Sequence, residues 1–249
     1  MARQTGILKI KGTIGGMTFY KTQDGHLVKE KGGVDGEKIA SDPAFARTRE
    51  NGSEFGSAAS AGKLLRDAVR TLMLLSADNR VTARVTKVMT LIKDFDGTSA
   101  RGERNVAAGI ADPLAKAQLK NFNFNISAIL SSVLYKPYAL NTATGVISIN
   151  GLVPINDLTF PEGSTHFTMR GAWAKVDFDA NTSEIEYTNL VNLPIDGAAS
   201  NVTLTPAAVP AGVGISLFLL GVEFFQEVNG IQYTLKNGAY NSLAIIEVV

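Results

Sequence analysis

Near residue 120 the apolar spacing of this chain changes from helical to strand-like, so one part must supply helices and the other must supply sheet. From Phe122 onward, Phe122, Phe124 and Ile126 alternate with asparagines, and Val146-Ile147-Ser148-Ile149 follows a turn at Thr144-Gly145. The run Phe167 to Phe178 is predicted to pair, through Ala180-Asn181-Thr182-Ser183, with Ile185-Glu186-Tyr187. Phe218 to Val228 pairs in the same way through Asn229-Gly230 with Ile231 to Leu235, and a last strand runs from Leu243 to Val249. Pro154, Pro161, Pro194, Pro206 and Pro210 fall between these runs. Short strands punctuated in this way predict an antiparallel β-sandwich or jelly-roll-like domain over residues 121–249.

Residues 41–120 read as a small helical segment. Asp42-Pro43 offers a side-chain acceptor at the N-cap and a ring-fixed φ at the first helical position. In the helix that follows, Gly52, Gly56 and Ser60 recur every four residues, with Ala59 and Gly62 close by. Each glycine costs about 1 kcal/mol against alanine in a helix. Close approach of a packed backbone would offset that cost; a break near Asn51-Gly52 is the alternative. Leu65, Ala68, Leu72 and Leu75 continue as an apolar stripe. Beyond a short link, Ser76-Ala77-Asp78-Asn79, a second helix opens at Asp78 and ends at Asp96-Gly97, antiparallel to the first. It carries Val81, Val85, Val88, Ile92 and Phe95 on one face and Arg80, Arg84 and Lys87 on another. Two shorter helices are expected, one around Arg101 to Ala108 and one starting at Asp112-Pro113.

Residues 1–40 read as a β-hairpin arm. Ile7-Leu8-Lys9-Ile10-Lys11 is followed by a glycine-rich kink, Gly12 and Gly15-Gly16, and then by Met17-Thr18-Phe19-Tyr20-Lys21. A turn at Gln23-Asp24-Gly25 leads to His26-Leu27-Val28-Lys29, and Gly32-Gly33-Val34-Asp35-Gly36 ends the pattern. A short hairpin is marginal on its own in water, so something must cover it. The fold class is therefore α+β: hairpin arm, helical segment, sandwich.

Composition narrows the chemistry. With no cysteine in 249 residues, disulfides, thiolate metal sites and cysteine nucleophiles are excluded. Two histidines, His26 and His166, leave little for a histidine metal site. No cofactor is expected. The start of the chain lacks the apolar run of about 7–15 residues that a secretory signal needs, so cytoplasmic synthesis is expected, with a virion or released particle as a destination. The run Val213 to Val222 is broken by Gly214, Ser216 and Gly221, short of the roughly 20 apolar residues of a membrane span. Net charge is +1, but residues 1–120 hold 20 Lys+Arg against 13 Asp+Glu, and residues 121–249 hold 4 against 10. A subunit positive at one end and negative at the other can steer head-to-tail contact between copies. The plainer reading is that helices expose more basic residues than a sandwich does.

No catalytic motif emerges. Gly52-Ser53-Glu54-Phe55-Gly56 lacks a central serine for a nucleophile elbow, and Gly12-Thr13-Ile14-Gly15-Gly16 lacks the Lys-Ser/Thr ending of a phosphate loop. Asp177-Phe178-Asp179-Ala180-Asn181 opens like a calcium loop, but Thr182 and Thr188 stand where glycine and glutamate belong, so an acidic hairpin tip is the better reading. His26 is expected to face solvent and His166 to be a satisfied edge residue. Asp157, Glu162, Glu184 and Glu223 could form glycosidase-like pairs only by chance convergence. Trp173, between Ala172 and Ala174, is expected in the core rather than on a sugar-stacking platform. Arg80, Arg84 and Lys87 are candidate phosphate contacts, although acidic residues are mixed through the same segment and nucleic-acid binding is not the favoured reading.

The stretch Lys11-Gly12-Thr13-Ile14-Gly15-Gly16-Met17-Thr18-Phe19-Tyr20, then Asp24-Gly25 and Lys29-Glu30-Lys31-Gly32-Gly33, resembles the opening of a family of proteins without assigned activity, found in Bacteroidetes bacteria and their phage-like elements. The run Asp42-Pro43-Ala44-Phe45-Ala46-Arg47-Thr48-Arg49-Glu50-Asn51-Gly52-Ser53-Glu54-Phe55 shares in the resemblance, which covers about the first quarter of the chain. It implies a bacterial or phage origin and a role in a particle or surface assembly, and it lends no catalytic residues. The function expected is a non-enzymatic, self-assembling structural protein, such as a virion, tail or surface-lattice subunit. It would form a homo-oligomer by adding its hairpin to a neighbour's sheet. Ile7, Ile10, Met17, Phe19 and Leu27 are the expected contacts, with Gly15 and Gly16 as the hinge. A carbohydrate- or ligand-binding sandwich and a nucleic-acid-binding structural protein are the alternatives.

Overall fold

The structure, a computed structural model, describes residues 2–76, 78–235 and 238–249, and of Leu75 the backbone alone. The expected contribution of Leu75 to the apolar stripe and of Ala77 to the helix link therefore lie outside the described residues. The chain divides into two compact units, Met1–Arg49 and Glu50–Val249.

In the first unit β1 (Ala2–Arg3), β2 (Gly12–Ile14), β3 (Met17–Thr22) and β4 (Gly25–Glu30) form an antiparallel sheet in the order β1-β4-β3-β2. Gly15 and Gly16 form a two-residue hairpin turn rather than a kink between strands. Ile14 pairs with Met17 across them, and Gly15 takes the positive φ of 57° that such a turn requires. Gln23 and Asp24 turn the next hairpin, between Thr22 and Gly25. The strand expected over Ile7 to Lys11 does not form. Gln4 competes for its backbone: the side-chain oxygen accepts the Ile10 N–H at 2.9 Å, and the amide donates to the carbonyls of Ile10 and Leu27. Ala2 and Arg3, which the pattern did not single out, pair with β4 instead. After the sheet come α1 (Gly36–Ser41), capped by Asp35, and a 3-10 turn at Pro43–Phe45 capped by Asp42. The Arg49 guanidinium donates to the carbonyls of Ile39 and Asp42 and ties these turns together.

The helices α2 (Ala46–Ala68), α3 (Arg70–Ser76), α4 (Val81–Lys93), α5 (Val106–Gly109) and α6 (Pro113–Ala117) precede the sheets of the second unit. There follow α7 (Leu130–Val133), β5 (Ala139–Leu140), β6 (Ile147–Leu152), α8 (Pro154–Asp157), β7 (His166–Asp177) and β8 (Thr182–Tyr187). The chain ends with β9 (Val191–Pro194), β10 (Ser200–Leu204), β11 (Ile215–Val228), β12 (Ile231–Thr234) and β13 (Ser242–Val248). The long strands β7 and β11 pair along their length, from Ile215 opposite Val176 to Phe225 opposite His166. The outer side of β7 carries β8 and β9 end to end, and that of β11 carries β13 and β12. A smaller antiparallel sheet, β10-β6-β5, completes a sandwich.

Alternation divides the large sheet between two cores. Phe167, Met169 and Trp173 of β7, with Phe218, Leu220, Val222 and Phe224 of β11, meet Ile147, Ile149, Leu152, Val202 and Leu204 of the small sheet. On the opposite face Ala172, Ala174, Val176, Leu217 and Leu219 meet the helices through Leu65, Val85, Met89 and Ile92. The α+β class and the antiparallel sandwich follow the sequence expectation, with the helices and the sandwich sharing one core. The segment Phe122 to Ile126 departs from it. Only Asn123 makes a strand-like bridge, to Ala244, because Asn121 takes a positive φ of 63° and the buried Asn125 turns its amide to the carbonyls of Gly238 and Asn241.

The helix α2 runs through Asn51-Gly52 without a break and buries Glu54, Ala58, Gly62 and Leu65. Gly52 and Gly56 lie on its exposed side, where an added Cβ would meet nothing within 4 Å. Close approach occurs instead at Gly62, where an added Cβ would stand 3.2 Å from Val85 Cγ1, and above all at Gly109, where it would stand 2.2 Å from the Ile92 carbonyl oxygen. The short helix α5 starts at Val106, capped by Asn105, later than the pattern around Arg101 suggested. The α4 helix likewise ends at Lys93 rather than Asp96.

Charged groups bind this layer internally. The Glu54 carboxylate, 2% exposed, accepts from Lys93, from Arg104 through two nitrogens at 2.8 Å, and from the Gly102 N–H at 2.8 Å. Those bonds, Arg104 foremost, lower its pKa from 4.5 to about 2 against the opposing effect of burial. Burial also pushes the Asp96 carboxyl up, but hydrogen bonds from Ser99 and Thr98 outweigh it and hold the group well below its ordinary 3.8.

These contacts give two expected outcomes. Depressed carboxylate pKa values contribute stability that is fully present above the unfolded values, 4.5 for Glu54 and 3.8 for Asp96, and lost as pH falls through the folded ones. The melting temperature should therefore drop as pH is lowered from about 4.5 toward 2, and Glu54→Gln should lower it at pH 7 while flattening that acid limb. Thermal melts across pH check both; an unchanged acid limb in Glu54→Gln would refute the assignment. Gly109→Ala should destabilise by about 1–3 kcal/mol through overpacking. Gly52→Ala and Gly56→Ala should each stabilise by up to about 1 kcal/mol, measured by urea denaturation.

Candidate functional site

The first unit has no core. None of residues 2–49 is buried. Register places Ile14, Met17, Phe19 and Val28 on one face of its sheet, and Thr13, Thr18, Lys29, Tyr20 and Leu27 on the other. Of the expected contact residues, Met17 and Phe19 thus share a face that Ile14 and Val28 extend, whereas Leu27 belongs to the opposite one. Met17 is exposed, and Phe19 and Leu27 are half-buried. Ile7 and Ile10 belong to neither face: they sit on the connection from β1 at one edge of the sheet to β2 at the other. On that connection Ile7 is fully exposed and Leu8 is 85% exposed. Among the described residues, no backbone hydrogen bond engages Ile7 or Leu8. His26, expected in solvent, is half-buried, with an Nδ1 that lacks a hydrogen-bond partner.

The basic residues of α4 do not act as one stripe. Arg84 donates to Asp78 and to the carbonyls of Asn123 and Phe124 and lies 5.1 Å from the Phe122 ring, so its guanidinium is occupied within the fold. Asp78 also accepts the N–H groups of Arg80 and Ile126; burial raises its pKa, but these donors bring it below the ordinary value. Arg80 and Lys87 remain exposed.

The remaining candidates separate by position. Glu184 pairs with Lys175 and Glu223 with Thr168, seven residues apart along β7, or roughly 23 Å at strand rise. They form no carboxylate pair. Asp157 accepts the Val153 N–H at 2.7 Å and lies 3.7 Å from Lys136, while Glu162 and Glu184 are exposed. Asp177 accepts the N–H groups of Asp179 and Ala180 and shapes the β7–β8 turn. Among the described residues, no cluster of three or more His, Cys, Asp or Glu could hold a metal ion. No described helix is long and apolar enough to cross a membrane. His166 lies 3.0 Å from Thr165 Oγ1 and 3.7 Å from Glu227. Trp173, 5% exposed and 5.1 Å from the Phe218 ring, faces the inter-sheet core and presents no stacking surface.

A cavity of about 410 Å3 opens where α3 leaves the end of the large sheet uncovered. Leu72, Leu74, Leu190 and Phe225 wall it; Arg170 and Glu223, diagonal neighbours on β7 and β11, form its floor. No hydrogen bond or ion pair takes up the Glu223 carboxylate among the described residues, and burial raises its pKa against the pull of Arg170. The Arg170 guanidinium stacks 4.2 Å from the Tyr187 ring, with a buried Nε that has no acceptor. Cavities of this size with apolar walls and a few convergent polar groups are the usual form of a binding site. Arg170 and Glu223 each stand among buried residues of their strands, but no local pattern in the sequence brings the two together.

Comparison with known proteins adds no relative: no family model, curated protein or solved structure matches the chain.

Proposed function

We propose that the protein is a non-enzymatic, self-assembling structural subunit whose N-terminal sheet joins it to copies of itself. The observation that carries this reading is a four-stranded sheet without one buried residue, bearing Ile14 and Met17 exposed beside Phe19 and Val28. A sheet of this kind gains its stability by covering a face, and hydrophobic burial is the dominant favourable contribution in most association. The outer edges of β1 and β2 pair with no other strand among the described residues, so strand addition is open at both. Charge favours unlike ends meeting: residues 1–49 hold nine Lys+Arg against five Asp+Glu, and residues 50–249 hold fifteen against eighteen. A virion, tail or surface lattice is the setting such a subunit would suit, and the resemblance of the first quarter to phage-associated proteins agrees with that setting.

The test is hydrodynamic. Sedimentation velocity of the full-length chain over a wide concentration range should show species larger than the monomer. Ile14→Lys combined with Met17→Lys, both at exposed positions, should shift them at least tenfold toward monomer, equivalent to about 1.4 kcal/mol per contact. A full-length chain that stays monomeric at high concentration would refute the proposal.

A further inference from the structure

The cavity under α3 and the exposed tip at Ile7-Leu8 are matched in chemistry, and we infer that the tip of one copy seats in the cavity of the next. This inference rests on the self-assembly reading and names the partner surface for it. The cavity offers an apolar mouth, with Leu74 at 72% and Leu190 at 60% exposure, above a floor that holds the Arg170 Nε, a buried donor without an acceptor, and the half-buried Glu223 carboxylate. The tip offers two aliphatic side chains, the most exposed large apolar residues among those described. It also offers peptide N–H and C=O groups that no backbone hydrogen bond engages.

One peptide unit answers both needs of the floor. Its carbonyl accepts from the Arg170 guanidinium and its N–H donates to Glu223, while the flanking aliphatic groups fill the space between Leu72 and Phe225. A purely apolar plug would leave the buried Arg170 Nε without an acceptor, and a simple anion would meet the Glu223 carboxylate beside it. The basic residues around the tip, Arg3, Lys9 and Lys11, approach a second unit with an acidic surplus. Tip and cavity are different surfaces, so the contact is heterologous, and repetition gives a ring or an open filament rather than a closed pair.

The probe is a capped synthetic peptide of residues 4–11. It is titrated by isothermal calorimetry into full-length protein carrying Leu8→Asp, which removes the chain's own competing tip. Saturable binding is expected, weakened at least tenfold, or about 1.4 kcal/mol, by Leu190→Arg added to the same chain. Leu190 is exposed, so the change leaves both cores in place; Leu74→Arg, on the other rim, repeats the test should Leu190→Arg alter the circular dichroism. In sedimentation velocity, Leu8→Asp and Leu190→Arg should each weaken self-association at least tenfold, while an equimolar mixture recovers a one-to-one complex, because one variant keeps the cavity and the other keeps the tip. Absence of peptide binding at millimolar concentration, or assembly unaffected by both variants, overturns the inference while leaving the self-assembly reading intact. A wild-type chain that stays monomeric refutes that reading instead, and the peptide titration still decides whether the cavity takes the tip.

Discussion

The pairing of β7 with β11 is the constraint from which the second unit is built. Through their middle stretches, Phe167 to Val176 and Ile215 to Phe224, both strands bury apolar residues on both faces, so neither face of their ladder can be left to water. Helices must cover one side and another sheet the other, which gives three layers from one pair of strands. The arrangement also explains why each long strand has two partners on its outer side. A strand of 12 or 14 residues outruns its shorter neighbours, so β8 and β9, or β13 and β12, share the edge end to end.

Glu54 gives the helical layer its register. A carboxylate that is 2% exposed is costly unless its lone pairs are filled, and here Lys93 at the end of α4 and Arg104 with the Gly102 N–H in the turn before α5 fill them. A shift of α2 by one turn would leave the acid without these donors, whereas the apolar packing of the same core could tolerate a slide. Gly109 acts in the same sense through sterics, since α5 meets the Ile92 carbonyl at a distance that admits no side chain. Asp96 and Asp78 then order the turns that follow α4 and precede it by collecting backbone N–H groups.

The strands that were legible in the sequence are those whose burial is written in alternation or in a turn: β3 with β4 around Asp24-Gly25, β7 with β8, and β11 with β12 around Asn229-Gly230. What escaped notice depends on partners distant in sequence. The two-residue strands β1 and β5 and the proline-ended β9 carry no pattern of their own and exist because β4, β6 and β7 offer free edges. Ile7 to Lys11 shows the reverse, since its alternation reads as a strand while the Gln4 side chain claims its backbone. The glycines of α2 were misleading for a related reason. Spacing at 52, 56 and 60 marks a helix face but does not say which face is inward, and Glu54, rather than a glycine, decides that. For the candidate site, exposure of the arm was inferable from its length and composition. The cavity was not, because the meeting of Arg170 with Glu223 depends on a cross-strand register that no local pattern specifies.

The two units differ in how they meet the cost of ordering a chain. The second buries aromatic and aliphatic side chains in two cores, and few of its buried polar atoms lack partners. The first has hydrogen-bonded strands, tight turns and capped helices, but its apolar residues are at most half-buried. Backbone hydrogen bonds exchanged with water contribute only about 0.5–1.5 kcal/mol net each. Against roughly 1–2 kcal/mol of backbone entropy per ordered residue, they do not hold such a sheet together alone. Under the self-assembly proposal, the added stabilisation is hydrophobic and comes from a second copy. The surfaces that proposal would use are the exposed apolar residues Ile14 and Met17 on one face and Ile7 and Leu8 on the connection between β1 and β2.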